Sequence, residues 1–407
     1  MSRNRIIGAV EIGTAKINVL VAEITQENAI NLIGYSRKPS AGIKKGVITD
    51  FKDATTVTHS AIAEAEKMAG YNIDGIHLSL TGKHLKGTFN KGSSHVSSHD
   101  GRVVEQDIQR AIEDAQSKCL PDNRIYIHHI RNPFFLDGRP MQSPIGMEGE
   151  NLEVGFWSVH ADEVPISNYI HLINGFHLEV DDMIVASICS GEATLHQSMK
   201  ENGVVVIDIG RGTTDFALYR NGYIVHTGVV CIGGDHFTND LSQGLRINAR
   251  EAERLKIEEG TLLRDEIDPK DRVWLRGDLS IGDRSFPPMS IYKILHSRGE
   301  ELLRVVHSEL SNFLNPEDTM GFHLILTGGG SQLRGLVDLA HDIFKLPVEI
   351  GFPPSWVDES LRTPENSTAI GLLHYAANHK VKGNKPSIGT ERKGGILGKL
   401  KDFFLHA

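Results

Sequence analysis

The sequence predicts an α/β protein made of two similar halves. Segments 9–23 and 204–219 share one pattern: an apolar strand that contains an acid, a turn with glycine and threonine, and a second strand. Each pattern predicts a β-hairpin, and the first turn glycines, Gly13 and Gly210, lie 197 positions apart. This repetition favours duplication over two unrelated hairpins. Helical periodicity over 52–69 and 248–259 places a helix after each hairpin, as in α/β layers.

The composition is that of a globular chain. Its 407 residues allow about two to four structural units, and 40% hydrophobic with 23% charged residues excludes wholesale disorder. No apolar run approaches the roughly 18 residues that cross a bilayer. The N-terminus reaches Glu11 before any long apolar stretch, which argues against a secretory signal. Three cysteines without a CxxC pair predict a reducing cytoplasm.

The amino-acid composition and periodicity change between about 84 and 160, which predicts an inserted α+β unit. Residues 103–118 have helical periodicity, whereas 87–101 and 132–149 are rich in Gly, Ser, His or Pro and are expected to be mobile loops. None of the histidines has a zinc spacing, so surface or loop positions are favoured over metal binding. These histidines are His84, His95, His99, His128 and His129.

Both hairpin turns have the composition of phosphate-binding loops. Successive backbone N–H groups in a tight turn form a concavity that binds anions, and two such loops that face each other would hold a triphosphate from both sides. Glu11 and Asp208, just before the turns, are suited to orient Mg²⁺ through its waters. The loop residues are Gly13, Thr14, Gly210, Gly212, Thr213 and Thr214.

A third glycine loop follows the strand at 324–327. Gly328, Gly329 and Gly330 lack side chains and would let a flat ring approach the backbone. Ser331 is expected to cap a helix that begins near Gln332. There is no GxxxxGK[ST], and no GxGxxG follows the first strand, so P-loop and dinucleotide-binding folds are disfavoured.

Taken together, these loops resemble the actin-like ATPase superfamily. Its five segments occur in order at 10–20, 183–195, 205–219, 324–339 and 367–378. Within the superfamily, the chain from about residue 5 to 407 is similar to the FtsA family of bacterial cell-division proteins. The closer matches lie at 11–16, 42–46, 80–84, 252–256, 326–329 and 367–375.

The resemblance implies an actin-like two-lobed fold, with duplicated RNase H-like halves and ATP and Mg²⁺ in the cleft. Lys16 belongs to the matching first-loop motif, and Glu253 with Lys256, one helical turn apart, match the helix that reaches the ribose in relatives. A solvated ion pair is the alternative interpretation of Glu253 and Lys256.

The resemblance also divides the chain into subdomains. Subdomain 1A comprises 1–83, 166–196 and 362–380, and 84–165 is the inserted subdomain 1C. Subdomain 2A comprises 197–234 and 304–361, and 2B comprises 235–303. A linker at 381–392 and a membrane-targeting helix at 393–407 complete the chain.

Three positions depart from the superfamily pattern. Glu11 stands where most members have Asp, and Arg211 replaces a common glycine, where it either contacts phosphate or points to solvent. Ser187 lies near the position of the Gln or Glu that orients water in filament-forming relatives. Loss of that group removes help worth about 10²–10⁴-fold. We therefore expect tight ATP binding and at most a slow ATPase, with no catalytic residue assigned.

The C-terminus has its own charge and periodicity. The last 28 residues carry seven basic and two acidic side chains, a net charge of +5, against −14 for the other 379. An apolar stripe with lysines beside it predicts an amphipathic helix on an anionic membrane. The stripe is Ile396, Leu397, Leu400, Phe403 and Phe404, and the lysines are Lys393, Lys399 and Lys401. A helix docked on the protein's own core is the alternative, and low arginine density argues against nucleic acid.

The family resemblance implies a protein on the cytoplasmic face of the inner membrane, at the division septum. It would form actin-like filaments, anchor the ring of tubulin-like FtsZ by binding its C-terminal peptide on 2B, and help recruit later division proteins. Arg298 is the favoured peptide-binding residue, and Arg284 is a weaker one. Two alternatives remain open: another actin-like scaffold, or a sugar or acid kinase, for which no catalytic Asp beyond Asp208 can be assigned.

Overall fold

The computed structural model describes residues 5–27, 29–275, 283–314 and 319–378. The predicted linker (381–392) and the predicted amphipathic helix (393–407) lie outside these residues. The first part of the chain forms β1 (Arg5–Ile12), β2 (Lys16–Ile24), β3 (Ile30–Pro39), β4 (Ile43–Lys44), β5 (Val47–Ile48), α1 (Phe51–Ala69) and β6 (Gly75–Leu80). Next come β7 (Leu85–His95), α2 (Glu105–Gln116), β8 (Arg124–Leu136), β9 (Arg139–Met141), β10 (Asn151–Asp162), α3 (Glu163–Asn174), β11 (Glu179–Val185) and α4 (Ala186–Thr194).

The second part of the chain contains the remaining elements. They are α5 (Gln197–Asn202), β12 (Val204–Ile209), β13 (Thr214–Arg220), β14 (Tyr223–Val230), α6 (Gly234–Leu245), α7 (Ala249–Glu258), β15 (Val273–Leu275), β16 (Arg284–Phe286), α8 (Pro288–Leu310), β17 (His323–Thr327), α9 (Leu336–Phe344), β18 (Val348–Ile350) and α10 (Ser367–Asn378). None of the described helices is both long enough and apolar enough to span a membrane.

The two halves have the same sheet topology. The first sheet has the order β11-β6-β1-β2-β3, and the second has the order β18-β17-β12-β13-β14. In each, the central strand pairs antiparallel with its hairpin partner and parallel with the strand on its other side. The hairpins at 9–23 and 204–219 therefore occupy equivalent places, which confirms the predicted duplication.

Helix α1 shows how local sequence sets an element. The Asp50 carboxylate accepts from the Asp53 N–H at the start of the helix, and at the other end Gly70 has φ 70° and donates to the Glu66 carbonyl. Alanines and Ile62 form its buried face, which packs on β2 and β3. The helix predicted at 248–259 also forms, with Asn248 as its N-cap.

The inserted unit is a four-stranded sheet, in the order β7-β10-β8-β9, covered by α2. The expectation of loops over 87–101 and 132–149 was partly wrong, because β7 extends to 95, β8 extends to 136 and β9 occupies 139–141. The glycines there serve close packing: a Cβ on Gly87 would lie 2.0 Å from the Trp157 ring, and one on Gly92 would lie 2.1 Å from the Ala111 carbonyl oxygen.

The expected surface or loop positions were wrong for His128 and His129, whereas His84 lies in the turn between β6 and β7. His84 is buried at 2% exposure, and His128 and His129 lie half-buried on β8. Burial, chiefly, and the neighbouring His128 lower the pKa of His129 to about 4. Within the described residues no group of three or more metal-ligating side chains forms.

Candidate functional site

The two predicted phosphate loops meet at the cleft between the halves. Each is a tight hairpin turn, closed by a hydrogen bond from Gly13 N to the Lys16 carbonyl (3.0 Å) and from Gly210 N to the Thr213 carbonyl (2.9 Å). A Cβ on Gly212 would lie 2.5 Å from the Thr14 hydroxyl oxygen. The tip of the second loop therefore packs directly on the first.

Glu11 and Asp208 lie just inside these turns. Asn18 donates to the Glu11 carboxylate at 2.8 Å, while the hydroxyls of Ser190 and Thr368 donate to Asp208. Burial raises the pKa of both acids, although the charge of Lys16 opposes that rise. A divalent cation would compensate such buried negative charge, and carboxylate oxygens are ligands that Mg²⁺ accepts, so this pair fits the predicted metal site.

Asp215 is a third acid in the cleft, which the sequence reasoning missed. It stands opposite Asp208 in the β12–β13 register. The Thr81 hydroxyl donates to its Oδ2 at 2.7 Å, while its Oδ1 is buried without a partner. Burial, chiefly, raises the Asp215 pKa to about 8, and the charges of Asp208 and Glu11 add to this. Asp215 could have been predicted from the sequence, because it directly follows the second loop and pairs across the hairpin with Asp208.

Lys16 points its ammonium group towards the cleft wall. Burial lowers its pKa, and Glu11 and Glu365 oppose that shift. The Nζ donates to the Glu365 carbonyl and, at 3.3 Å, to the Asn366 side chain. Lys16, which belongs to the matching first-loop motif, is therefore held by a turn near the C-terminal end of the described chain.

The two loop threonines use their hydroxyls within the protein. Thr214 donates to the Ile232 carbonyl at 2.8 Å, and Thr213 accepts from Thr81 at 3.0 Å. Their predicted role in nucleotide binding stays a prediction, and in this arrangement the backbone of the loop is the better candidate for it.

The third loop packs on the floor of the cleft. Gly328 has φ 80°, and a Cβ on it would lie 2.2 Å from Asp208 Oδ1; one on Gly330 would lie 2.4 Å from the Ile209 side chain. Gly329 begins a short 3-10 turn over Gly329–Gln332. The predicted cap was wrong: the Ser331 hydroxyl donates back to the Gly328 carbonyl at 2.7 Å, and α9 begins at Leu336. A turn closed by Ser331 leaves its hydroxyl no helix to cap.

Glu253 and Lys256 do form an ion pair, at 2.7 Å. Lys256 also donates to the Thr238 hydroxyl at 2.9 Å, and Thr238 donates to Glu253. Burial would raise the Glu253 pKa, but its hydrogen bonds with Lys256 and Thr238 lower it overall. An open pocket of about 520 Å³ lies beside this network, between α6 and α7, and its size is within the range of small-molecule sites.

Three predicted arginines have protein partners, whereas the Ser187 hydroxyl has none. Arg211 is half-exposed, in keeping with the expectation that it points to solvent, and its Nε donates to Asp235 at 2.6 Å. The Ser187 hydroxyl is buried without a partner.

The two candidate peptide-binding arginines contact other parts of the chain. Arg298 pairs with Asp240 at 2.6 Å and also with Glu301. Arg284 donates to backbone carbonyls at the end of α6. The role of Arg298 in peptide binding stays a prediction.

The duplicated sheets and the loops facing each other across the cleft define the class: this is an actin-like two-lobed ATPase fold. A chain of the PilM–PilN type IV pilus biogenesis complex matches with a TM-score of 0.64 and 16% identity, over 92% of this chain and 99% of that chain. MreB5 of Spiroplasma citri bound to ADP matches with a TM-score of 0.53 and 16% identity, over 91% and 96%. At such identities the likeness shows the fold alone.

Closer relatives give the family. The family model "Cell division protein FtsA" matches residues 205–371, and "SHS2 domain inserted in FTSA" matches residues 82–160. Cell division protein FtsA of Neisseria meningitidis serogroup B is 33% identical, over 98% of each chain. That of Bacillus subtilis is 29% identical, over 95% of this chain and 87% of its own. The chain belongs to the FtsA family of cell division proteins, which decides against the kinase and the other scaffolds.

Proposed function

We propose that this chain binds ATP with Mg²⁺ between its halves and anchors the FtsZ ring to the cytoplasmic face of the inner membrane. One observation carries the nucleotide part: loops from the two halves touch at Thr14 and Gly212, directly beside the half-buried Glu11 and the buried Asp208. The backbone N–H groups of both turns would bind the phosphates, and the acids would hold Mg²⁺.

The same geometry supports a slow ATPase. Hydrolysis needs a group that accepts a proton from the attacking water. The hydroxyl at Ser187 cannot serve as such a base, and a pKa of about 8 leaves Asp215 mostly protonated at neutral pH. We expect turnover below about one per second, the lower end of ordinary enzyme rates.

Equilibrium binding of ATP, with and without Mg²⁺, tests the nucleotide part. We expect saturable binding that Mg²⁺ strengthens, followed by slow phosphate release. Absence of binding, or turnover well above about one per second, would contradict this part of the proposal.

The membrane part depends on 393–407 and on family membership. The apolar stripe would lie in the lipid interface while the lysines face anionic headgroups. Each lysine would add about 1 kcal/mol to the binding free energy. A helix of this length is marginal in water, so folding on binding and reversible attachment are expected. Filaments of several copies would multiply that weak attachment. The same family membership supports binding of the FtsZ C-terminal peptide on 2B and contacts with later division proteins.

Flotation with anionic vesicles and FtsZ tests this part. The full chain should carry FtsZ to the vesicles, whereas a chain ended at Lys380 should leave it in solution. Phe404→Glu, on the stripe, should behave like the shortened chain, and Asp402→Asn, off the stripe, should behave like the full chain. Equal recruitment by the full and shortened chains would exclude the tail as the anchor.

A further inference from the structure

The ammonium group of Lys16 is largely buried and lies close to two oxygen acceptors of Glu365. Its side chain is only 11% exposed, and Nζ lies 3.7 Å from the Glu365 carboxylate as well as donating to the Glu365 carbonyl. A buried cation needs compensating partners, and Glu365 supplies two of them. Any phosphate that approaches Lys16 must compete with that carboxylate.

Arg37 controls the same carboxylate from the opposite side. Its guanidinium donates to both Glu365 oxygens, at 2.5 and 3.0 Å, which is the strong bidentate form of this pair. The hydrogen bond from Arg37 is the largest cause of the lowered pKa of Glu365. The carboxylate is therefore ionised at neutral pH, and Arg37 at 2.5 Å is a closer partner of it than Lys16 at 3.7 Å.

The turn that carries Glu365 also fixes the third loop. Gly328 N donates to the Pro364 carbonyl at 3.1 Å, and the Thr327 hydroxyl bonds to Ser367 at 2.7 Å. Arg37 and Lys16 belong to the first half, and Gly328 belongs to the second. The turn at Pro364–Asn366 thus joins the lysine of the first loop to the third loop.

We infer that Arg37 and Glu365 are positioning residues that set how strongly Lys16 attracts phosphate. Glu365 holds the ammonium group at the cleft wall and weakens its pull on an anion. Arg37 limits that competition by occupying both carboxylate oxygens. The inference rests on the nucleotide binding proposed above, and it predicts effects of opposite sign for the two side chains.

The test compares Glu365→Gln and Arg37→Gln in the full chain, with ATP and adenosine as probes in Mg²⁺ buffer. Glu365→Gln removes the competing charge and should tighten ATP binding about fivefold. Arg37→Gln leaves Lys16 as the remaining cation beside the Glu365 carboxylate and should weaken ATP binding about fivefold. Both sizes are those expected for one partly exposed charge. Adenosine, which has no phosphate, should bind equally to all forms.

Three controls separate positioning from loss of structure. Arg37→Lys should recover part of the ATP affinity, because it restores the charge but not the bidentate geometry. In a Lys16→Gln background, neither substitution should change ATP affinity. Arg304→Gln and Glu300→Gln, from an exposed pair on α8, make the same charge changes elsewhere and should have no effect.

The outcomes are distinguishable. Equal effects on ATP and adenosine, effects of the same sign, or effects that persist without Lys16 would each overturn the inference alone. Failure of the unaltered chain to bind ATP would overturn the proposed nucleotide binding, and this inference with it.

Discussion

The two proposed phosphate loops have the same backbone turn but different charged side chains. In the first loop, Lys16 turns inward and contacts Glu365. In the second, Arg211 turns outward to Asp235, and both side chains of that pair are more than 40% exposed. The second loop instead brings a buried pair of acids, Asp208 and Asp215. Duplication preserved the turn, and divergence gave the cation to one half and the carboxylate pair to the other.

The difference in charged side chains indicates what each half would contribute to the proposed nucleotide site. The Lys16 ammonium group of the first half would attract the phosphates of a magnesium triphosphate. Asp208 of the second half, together with Glu11 of the first, would hold its magnesium ion. The exposed Arg211–Asp235 pair is expected to contribute little to the binding of either phosphate or Mg²⁺. The cleft is therefore chemically asymmetric, although its scaffold is nearly symmetric.

The strongest way to break the comparison is to remove one cation from each loop. Lys16→Gln should weaken ATP binding about 100-fold, or about 2.7 kcal/mol, because its largely buried ammonium group would lie beside the proposed phosphate site. Arg211→Gln should weaken it less than about threefold, as expected for an exposed pair. Titration of each variant with ATP measures both effects, and equal losses would show that the loops are not specialised.

Asp208→Asn tests the acid side of the asymmetry. The amide retains an oxygen that accepts from Ser190 and Thr368 but loses the charge that would hold Mg²⁺. We expect the Mg²⁺ enhancement of ATP binding to fall by about 30-fold, within the range for groups that orient metal ligands, with adenosine binding unchanged. An unaltered dependence on Mg²⁺ would remove Asp208 from the metal site.

Glu192 tests how the halves are joined. It lies on α4, 2.6 Å from Lys200 of the second half and 3.6 Å from His374 of α10. Burial raises its pKa, but the hydrogen bond with His374 and the charge of Lys200 outweigh this and lower the pKa to about 2. Because the pKa is depressed on folding, the stabilisation is complete above about pH 4.3 and is lost as the pH falls towards 2.

Glu192→Gln should therefore lower the free energy of unfolding by about 2 kcal/mol at neutral pH. The difference from the unaltered chain should shrink as the pH falls through about 4 to 3, where both forms are increasingly neutral. Urea unfolding at several pH values measures this. A difference independent of pH would mean that the charge of Glu192 does not join the halves.

Gly212→Ala tests the contact between the loops. Its Cβ would lie 2.5 Å from the Thr14 hydroxyl and 3.1 Å from the Lys45 nitrogen, so the two loops must separate slightly. We expect about a tenfold loss of ATP affinity, as overpacking typically costs about 1–3 kcal/mol. Gly175→Ala, whose Cβ would meet nothing nearer than 3.3 Å, is the matched control. Equal affinities would show that the contact tolerates a methyl group.

Much of the cleft was predictable because its parts are local. Each loop is a short hairpin with an acid just before its glycine, so Glu11 and Asp208 could be selected from sequence. Asp215 was within reach of the same reasoning through cross-strand pairing. Glu365 was not, because the turn that contains it has no catalytic or phosphate-binding pattern and reaches Lys16 from 349 positions away.

The sequence by itself determined the duplicated hairpins, the capped helix α1, the inserted unit and the charge division between body and tail. These depend on periodicity and turn chemistry, which act over a few neighbouring residues. Only the tertiary structure decided that His84 is buried, that Gly87 and Gly92 serve packing rather than a mobile loop, and that Ser331 closes a turn. Each of these depends on the burial or close packing that the folded chain imposes, which local periodicity does not encode.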